Sequence, residues 1–137
     1  LRFLGNVRAE AVEELRQSLA AVCWNASPLA LTAQSVGFFP NPRLPRVIWV
    51  GISSQGDRLI DLQGRIEAAV GPFSTEPAEK NFAGHVTLGR LKNPQPADVQ
   101  GLVARAQVFE NKIFGNWTAQ SVELIRSELS STGACYT

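Results

Sequence analysis

The chain resembles itself. At an offset of 87 residues, Leu1, Leu4, Asn6, Val12 and Leu15 fall on Leu88, Leu91, Asn93, Val99 and Leu102 without a gap. At an offset of 86, Thr32-Ala33-Gln34-Ser35-Val36 recurs as Thr118-Ala119-Gln120-Ser121-Val122. Similarity at a fixed spacing marks one supersecondary unit used twice. In each copy the order is strand, helix, strand, then turn and strand. The competing reading is that two amphipathic helices following strands merely look alike. A chain of 137 residues is of single-domain size with room for a real core, so both copies belong to one domain spanning 1–137.

The hydrophobic pattern supplies the elements. Leu1 to Leu4 reads as the end of a strand, stopped by Gly5-Asn6. A helix follows from about Arg8 to Cys23, with Val12, Leu15, Leu19 and Val22 on one face. Ser27-Pro28 breaks the chain, and Leu29 to Phe39 alternates as a strand before the turn Pro40-Asn41-Pro42. Arg46 to Ile52 is apolar on both faces, which predicts a central strand. A second helix is expected over Asp57 to Val70, with Leu59, Leu62, Ile66 and Ala69 inward. A polar loop covers Gly71 to Asn81, and the strand His85 to Leu91 comes next. Asn93-Pro94-Gln95-Pro96 opens a third helix, about Ala97 to Phe109. Asn116 to Glu128 reads as one long strand, Ser130 to Gly133 as a turn, and Ala134 to Thr137 as a strand barely begun.

His85 is the single histidine. Side chains of a strand alternate between faces, so His85 and Thr87 point one way while Val86 and Leu88 point the other. The two apolar residues are expected in the core. An imidazole and a hydroxyl are left side by side on an open face. The bland reading is a half-buried strand with one incidental histidine, since tetrapeptide motifs match often.

Composition narrows the function classes. Net charge is +1, which argues against a broad electrostatic grip on long nucleic acid but leaves room for a small anionic ligand or an RNA end. No apolar run approaches the length of a membrane span. Cys23 and Cys135 lack metal-type spacing, and with one histidine a zinc site is not expected. The simplest compartment is a reduced cytoplasm. The carboxylates show no pairing suited to acid–base work, and there is no Gly-rich nucleotide-binding loop.

Phe82-Ala83-Gly84-His85-Val86-Thr87-Leu88-Gly89-Arg90-Leu91 resembles the second signature of the bacterial RNA 2′,3′-cyclic phosphodiesterases, also called 2′-5′ RNA ligases, of the two-histidine phosphoesterase superfamily. Leu1-Arg2-Phe3-Leu4-Gly5 resembles the segment after that family's first His-x-Thr. Val36 to Pro40 and Pro45 to Gly51 are similar to its middle strands, and Leu124 to Ser127 with Gly133 and Tyr136 to its C-terminal strands. The resemblance runs in order over essentially the whole chain.

The resemblance implies an α+β fold of two pseudo-symmetric lobes. Each lobe is an antiparallel sheet flanked by helices, with a central cleft carrying one His-x-Thr from each lobe. It implies no metal and no organic cofactor, and RNA ends or 2′,3′-cyclic nucleotides as partners. Water would attack phosphorus in line, one imidazole taking its proton and another protonating the leaving ribose oxygen. The product is a 2′-phosphate end, and an RNA 5′-hydroxyl replacing water gives a 2′-5′ linkage. His85 would be one half of the acid–base pair, and Thr87 would donate a hydrogen bond to the phosphate.

Arg90 would contact the phosphate or nucleotide. Strict alternation puts it opposite His85, unless Gly89 allows a bulge that re-aims it. Phe39 and Trp49 are candidates for stacking on a base, with core packing the competing role. Arg46 and Arg126 line either the cleft or the surface. Two other readings compete with the enzyme: a catalytically inactive nucleotide- or RNA-binding domain of the same fold, and a structural domain similar only in fold.

One departure from the family stands out. His85 shifted back by 87 lands two positions before Leu1, and the family's first His-x-Thr with its preceding strand and helix is not in the sequence. The expected reading is a chain incomplete at both ends and inactive by itself. The parent gene is predicted to encode His-x-Thr immediately ahead of Leu1; a gene sequence without it there would contradict the repeat.

Overall fold

A computed structural model describes residues 1–78, 81–130 and 133–137. The expected α+β class is borne out: four antiparallel strands form the main sheet, with three helices and a separate hairpin. The elements are α1 (Val12–Cys23), β1 (Leu29–Phe39), β2 (Val47–Ser54), α2 (Arg58–Val70), β3 (His85–Arg90), α3 (Pro96–Gln107), β4 (Ile113–Ala119), β5 (Ser127–Ser130) and β6 (Gly133–Tyr136). The sheet order is β3-β2-β1-β4, and β5 pairs with β6. The apolar run on both faces of β2 is thus explained by its interior place.

Alternation along β1 separates core from site. Leu29 and Leu31 are buried and join Leu15 and Leu19 of α1 with Leu59, Leu62, Ile66 and Val70 of α2. Both helices read as amphipathic because these leucines and isoleucines recur at helical spacing. Thr32 and Gln34 lie on the opposite face of the sheet by the same alternation. α3 touches β1 as well, and its Ala106 is buried.

The repeat has a counterpart in the β1–β4 ladder. Leu31 pairs with Trp117, its own equivalent at the offset of 86, and the antiparallel register runs outward evenly, Ala30 to Thr118 and Thr32 to Asn116. Two equivalent strands that meet at equivalent residues form a self-complementary contact, as across a two-fold axis. The helices agree: α1 begins at Val12 and α3 at Pro96, three residues ahead of the position equivalent to Val12.

Two strand expectations are corrected. Leu1 to Leu4 forms no ladder; the Leu4 carbonyl accepts one backbone hydrogen bond, from Thr75 N at 3.0 Å. A side-chain anchor holds the segment instead. Arg2 Nε lies 2.9 Å from Glu67 Oε2, the Arg2 side chain only 7% exposed, and its guanidinium donates to Ser74 Oγ and to the carbonyls of Glu76 and Pro77. Asn116 to Glu128 is not one strand. β1 starts at Leu29, which pairs with Ala119, and Pro28 has no N–H to offer. Past Ala119 no strand of the sheet remains to pair with, and residues 120–126 leave it. In the expected turn Ser130 to Gly133, Ser131 and Thr132 lie outside the described residues.

Val86 and Leu88 also depart from expectation. They are 53% and 58% exposed, not buried. β3 is an edge strand, and the helix layer packs on β1 and β2, through Leu29, Leu31 and Ile52. Nothing among the described residues covers the outer strand.

Leu15 is 1% exposed at the centre of this core. Leu15→Ala is expected to cost about 3 kcal/mol in chemical denaturation. Glu67→Ala leaves the Arg2 charge enclosed without its partner and is expected to cost a similar amount, about 3 kcal/mol. A loss below about 0.5 kcal/mol for either variant would contradict the packing described.

Candidate active site

β3 is held against β2 by a register that contains one extra residue. His85 pairs with Gly51, Val86 with Val50 and Thr87 with Trp49; then Gly89 pairs with Ile48 and Arg90 with Val47, leaving Leu88 without a partner. Residues directly opposite in an antiparallel pair share a face. His85 and Thr87 therefore share a face with Trp49, as alternation within β3 requires. The bulge at Leu88 shifts the parity, and Arg90, opposite Val47, comes to the same face as Trp49. The three residues singled out in the His-x-Thr segment are brought together by one irregularity beside Gly89.

The segment ahead of β3 seats the imidazole. Ile52 N donates to the Gly84 carbonyl at 2.7 Å. A Cβ on Gly84 would lie 2.5 Å from the Ile52 carbonyl oxygen and 2.9 Å from a Leu59 methyl, so this approach requires glycine. Ala83 then presents its carbonyl 2.7 Å from His85 Nδ1. A carbonyl can only accept, so Nδ1 carries the hydrogen and Nε2 is left as the nitrogen able to take or give a proton. His85 is exposed.

Phe39 and Trp49 gather around the histidine. Phe39 meets His85 edge to face with ring centroids 4.9 Å apart. Phe39 and Trp49 are 5.1 Å apart, and Trp49 and His85 6.3 Å. The indole lies over Gly37, its partner on β1: a Cβ there would sit 2.2 Å from Trp49 Cζ2. Trp49 Nε1 is buried and makes no hydrogen bond with any described residue.

Toward the middle of the sheet the same face turns polar. Gln34 Nε2 donates to Ser53 Oγ at 3.1 Å, and Thr32 Oγ1 to Asn116 Oδ1 at 2.8 Å. Sequence reasoning passed over Gln34 and Ser53 because their meeting depends on a second bulge. Ser35, with φ of 60°, is the unpaired residue between Gln34↔Gly51 and Val36↔Val50. The repeated pentapeptide that contains both Gln34 and Ser35 was the signal available.

The two other arginines lie elsewhere. Arg46 and Arg43 line a groove between α3 and the β1–β2 turn. Arg126 is exposed and pairs with Glu128 at 2.7 Å. A groove of about 560 Å3 reaches His85 from the helix side, lined by Leu31, Ile52, Leu59, Phe82 and Gly84 among others, but neither Thr87 nor Arg90 borders it. Among the described residues no group of His, Cys, Asp and Glu gathers as a metal site would need, and no helix is long and apolar enough to cross a membrane.

The assembled face offers one free imidazole nitrogen, a hydroxyl and a guanidinium on a strand edge, with two aromatic rings beside them. It is suited to moving a proton next to a bound anion. Comparison with known proteins finds relatives along nearly the whole chain. An RNA 2′,3′-cyclic phosphodiesterase of Archaeoglobus fulgidus is 30% identical over 99% of this chain and 73% of its own length. One of Aquifex aeolicus is 29% identical over the whole chain and 72% of its length, so the similarity spans archaea and bacteria. The crystal structure of TT0787 of Thermus thermophilus superposes with a TM-score of 0.73 at 26% identity, covering 98% of this chain and 70% of that one. Residues 3–130 match the model of the 2′-5′ RNA ligase superfamily, and the chain belongs to that superfamily.

Proposed function

We propose that the protein is an RNA 2′,3′-cyclic phosphodiesterase that opens cyclic phosphate ends to 2′-phosphates and, with an RNA 5′-hydroxyl in place of water, reversibly joins RNA ends through 2′-5′ linkages. The observation that carries this reading is the common face of His85, Thr87 and Arg90 produced by the bulge at Leu88. The names of the relatives from Archaeoglobus and Aquifex support it.

In this reading His85 is one half of an acid–base pair, acting through Nε2 while the Ala83 carbonyl holds Nδ1–H. Water attacks phosphorus in line; one imidazole accepts its proton and the other delivers a proton to the departing ribose oxygen, the same roles serving an attacking RNA 5′-hydroxyl and exchanging when a 2′-5′ linkage is cleaved back to the cyclic phosphate. Thr87 and Arg90 donate hydrogen bonds to the non-bridging oxygens, where charge grows in the transition state. Phe39 and Trp49 take the base of the terminal nucleotide. The repeat assigns the second imidazole to the position equivalent to His85 in the other half of a two-lobed domain. The proposed chemistry uses no metal or organic cofactor, and an RNA-end substrate is in keeping with work in the cytoplasm.

A second reading is an inactive nucleotide- or RNA-binding domain of the same fold. Turnover separates the two. The full-length gene product is expected to hydrolyse a 2′,3′-cyclic nucleotide to the 2′-phosphate in the presence of EDTA. His85→Ala is expected to lower kcat by about 10²- to 10⁴-fold; near-normal turnover in that variant would remove His85 from the mechanism. Gly37→Ala displaces the Trp49 ring and is expected to raise KM far more than it lowers kcat. An unchanged KM would show that the indole does not hold the substrate.

A further inference from the structure

We infer that Gln34 is a specificity-determining residue that selects bases with an amino group beside a ring nitrogen, adenine and cytosine, in the nucleotide bound at His85; the inference rests on the phosphodiesterase reading. His85, Gly51 and Gln34 form a row across three neighbouring strands, since Gly51 pairs with His85 on one side and with Gln34 on the other. All three positions share one face. The middle position has no side chain, and a Cβ there would lie 2.9 Å from the Gln34 carbonyl oxygen, so glycine keeps a side chain from standing between the imidazole and the amide. Two strand spacings put about 10 Å between the outer backbones.

The row has a flat neighbour and a polar end. Trp49, two residues before Gly51, lies over Gly37, and Cζ3 of its ring would be 3.4 Å from a Cβ placed on Gly51. A base stacked on this indole has the Gln34–Ser53 pair on the same face of the sheet. The hydrogen bond to Ser53 Oγ occupies one amide hydrogen of Gln34. One N–H and the carbonyl Oε1 remain, a donor and an acceptor side by side in a plane. Adenine and cytosine present the complement, an amino group beside a ring nitrogen, with which glutamine can form two hydrogen bonds. Guanine and uracil place a carbonyl where adenine has its amino group, and so lack the donor that Oε1 accepts. The hydrogen bond to Ser53 fixes the rotamer in advance, and such preorganisation strengthens discrimination.

The test is calorimetric binding of 2′-AMP, 2′-GMP, 2′-CMP and 2′-UMP to the full-length gene product, together with kcat/KM for the four corresponding 2′,3′-cyclic nucleotides. The wild type is expected to bind 2′-AMP and 2′-CMP roughly ten-fold more tightly than 2′-GMP and 2′-UMP. Gln34→Ala and Gln34→Glu are expected to bring the four Kd values within about two-fold of one another, through weaker binding of the adenine and cytosine nucleotides alone. Equal binding of all four by the wild type, no binding of any, or a preference for adenine and cytosine that survives Gln34→Ala overturns the proposal. A uniform fall for all four bases in both variants also overturns it, since that reports a structural role. Binding with the predicted preference but no turnover of any cyclic nucleotide supports the base site and contradicts the enzyme.

Discussion

The alternation of β1 is the constraint on which the rest of the molecule depends. This strand is paired on both sides, to β2 and to β4. Because successive side chains must point to opposite faces, Leu29 and Leu31 go to the helices while Thr32 and Gln34 go to the other side. Core and site are thus two faces of one ladder. A polar residue at position 31, or an apolar one pointing outward at 34, would require a different register throughout the sheet.

Three places break the regular register, at Ser35, Leu88 and Phe114, and the first two lie beside the candidate site. At Ser35 the chain inserts a residue with φ of 60°, and at Leu88 β3 inserts one against β2. Each bulge changes the parity of the strand residues beyond it. The first allows Gln34 to share a face with Gly37 and Phe39, the second allows Arg90 to join His85 and Thr87. Unpaired residues of this kind re-aim side chains at sheet edges and beside functional sites. The rings of Phe39, Trp49 and His85 then pack against one another, which fixes the imidazole from the side while the Ala83 carbonyl fixes it from behind.

Much of this was legible in the sequence. The apolar spacing of Leu15, Leu19, Leu59, Leu62 and Ile66 gave the core helices, and the apolar faces of Val47 to Ile52 gave the interior strand. The repeat makes Leu31 and Trp117 equivalent, and only the register shows that they pair. The features that were not legible depended on neighbours rather than on pattern. Val86 and Leu88 look like core residues, yet an edge strand beyond the helix layer leaves them exposed. The stretch from Asn116 to Glu128 has strand character throughout, but β1 stops at Leu29 and no partner continues. Gln34 and Ser53 are ordinary strand residues until the register sets them 3.1 Å apart.

The central claim is that Ala83 fixes the tautomer of His85 so that Nε2 is free to carry protons. The 137-residue chain has one histidine, so a nitrogen-15 spectrum of histidine-labelled protein reports this imidazole alone. The expected spectrum has the hydrogen on Nδ1 in the neutral form, with the Nε2 resonance moving when a 2′-nucleotide is added. A neutral imidazole protonated at Nε2, unresponsive to the nucleotide, would contradict the account.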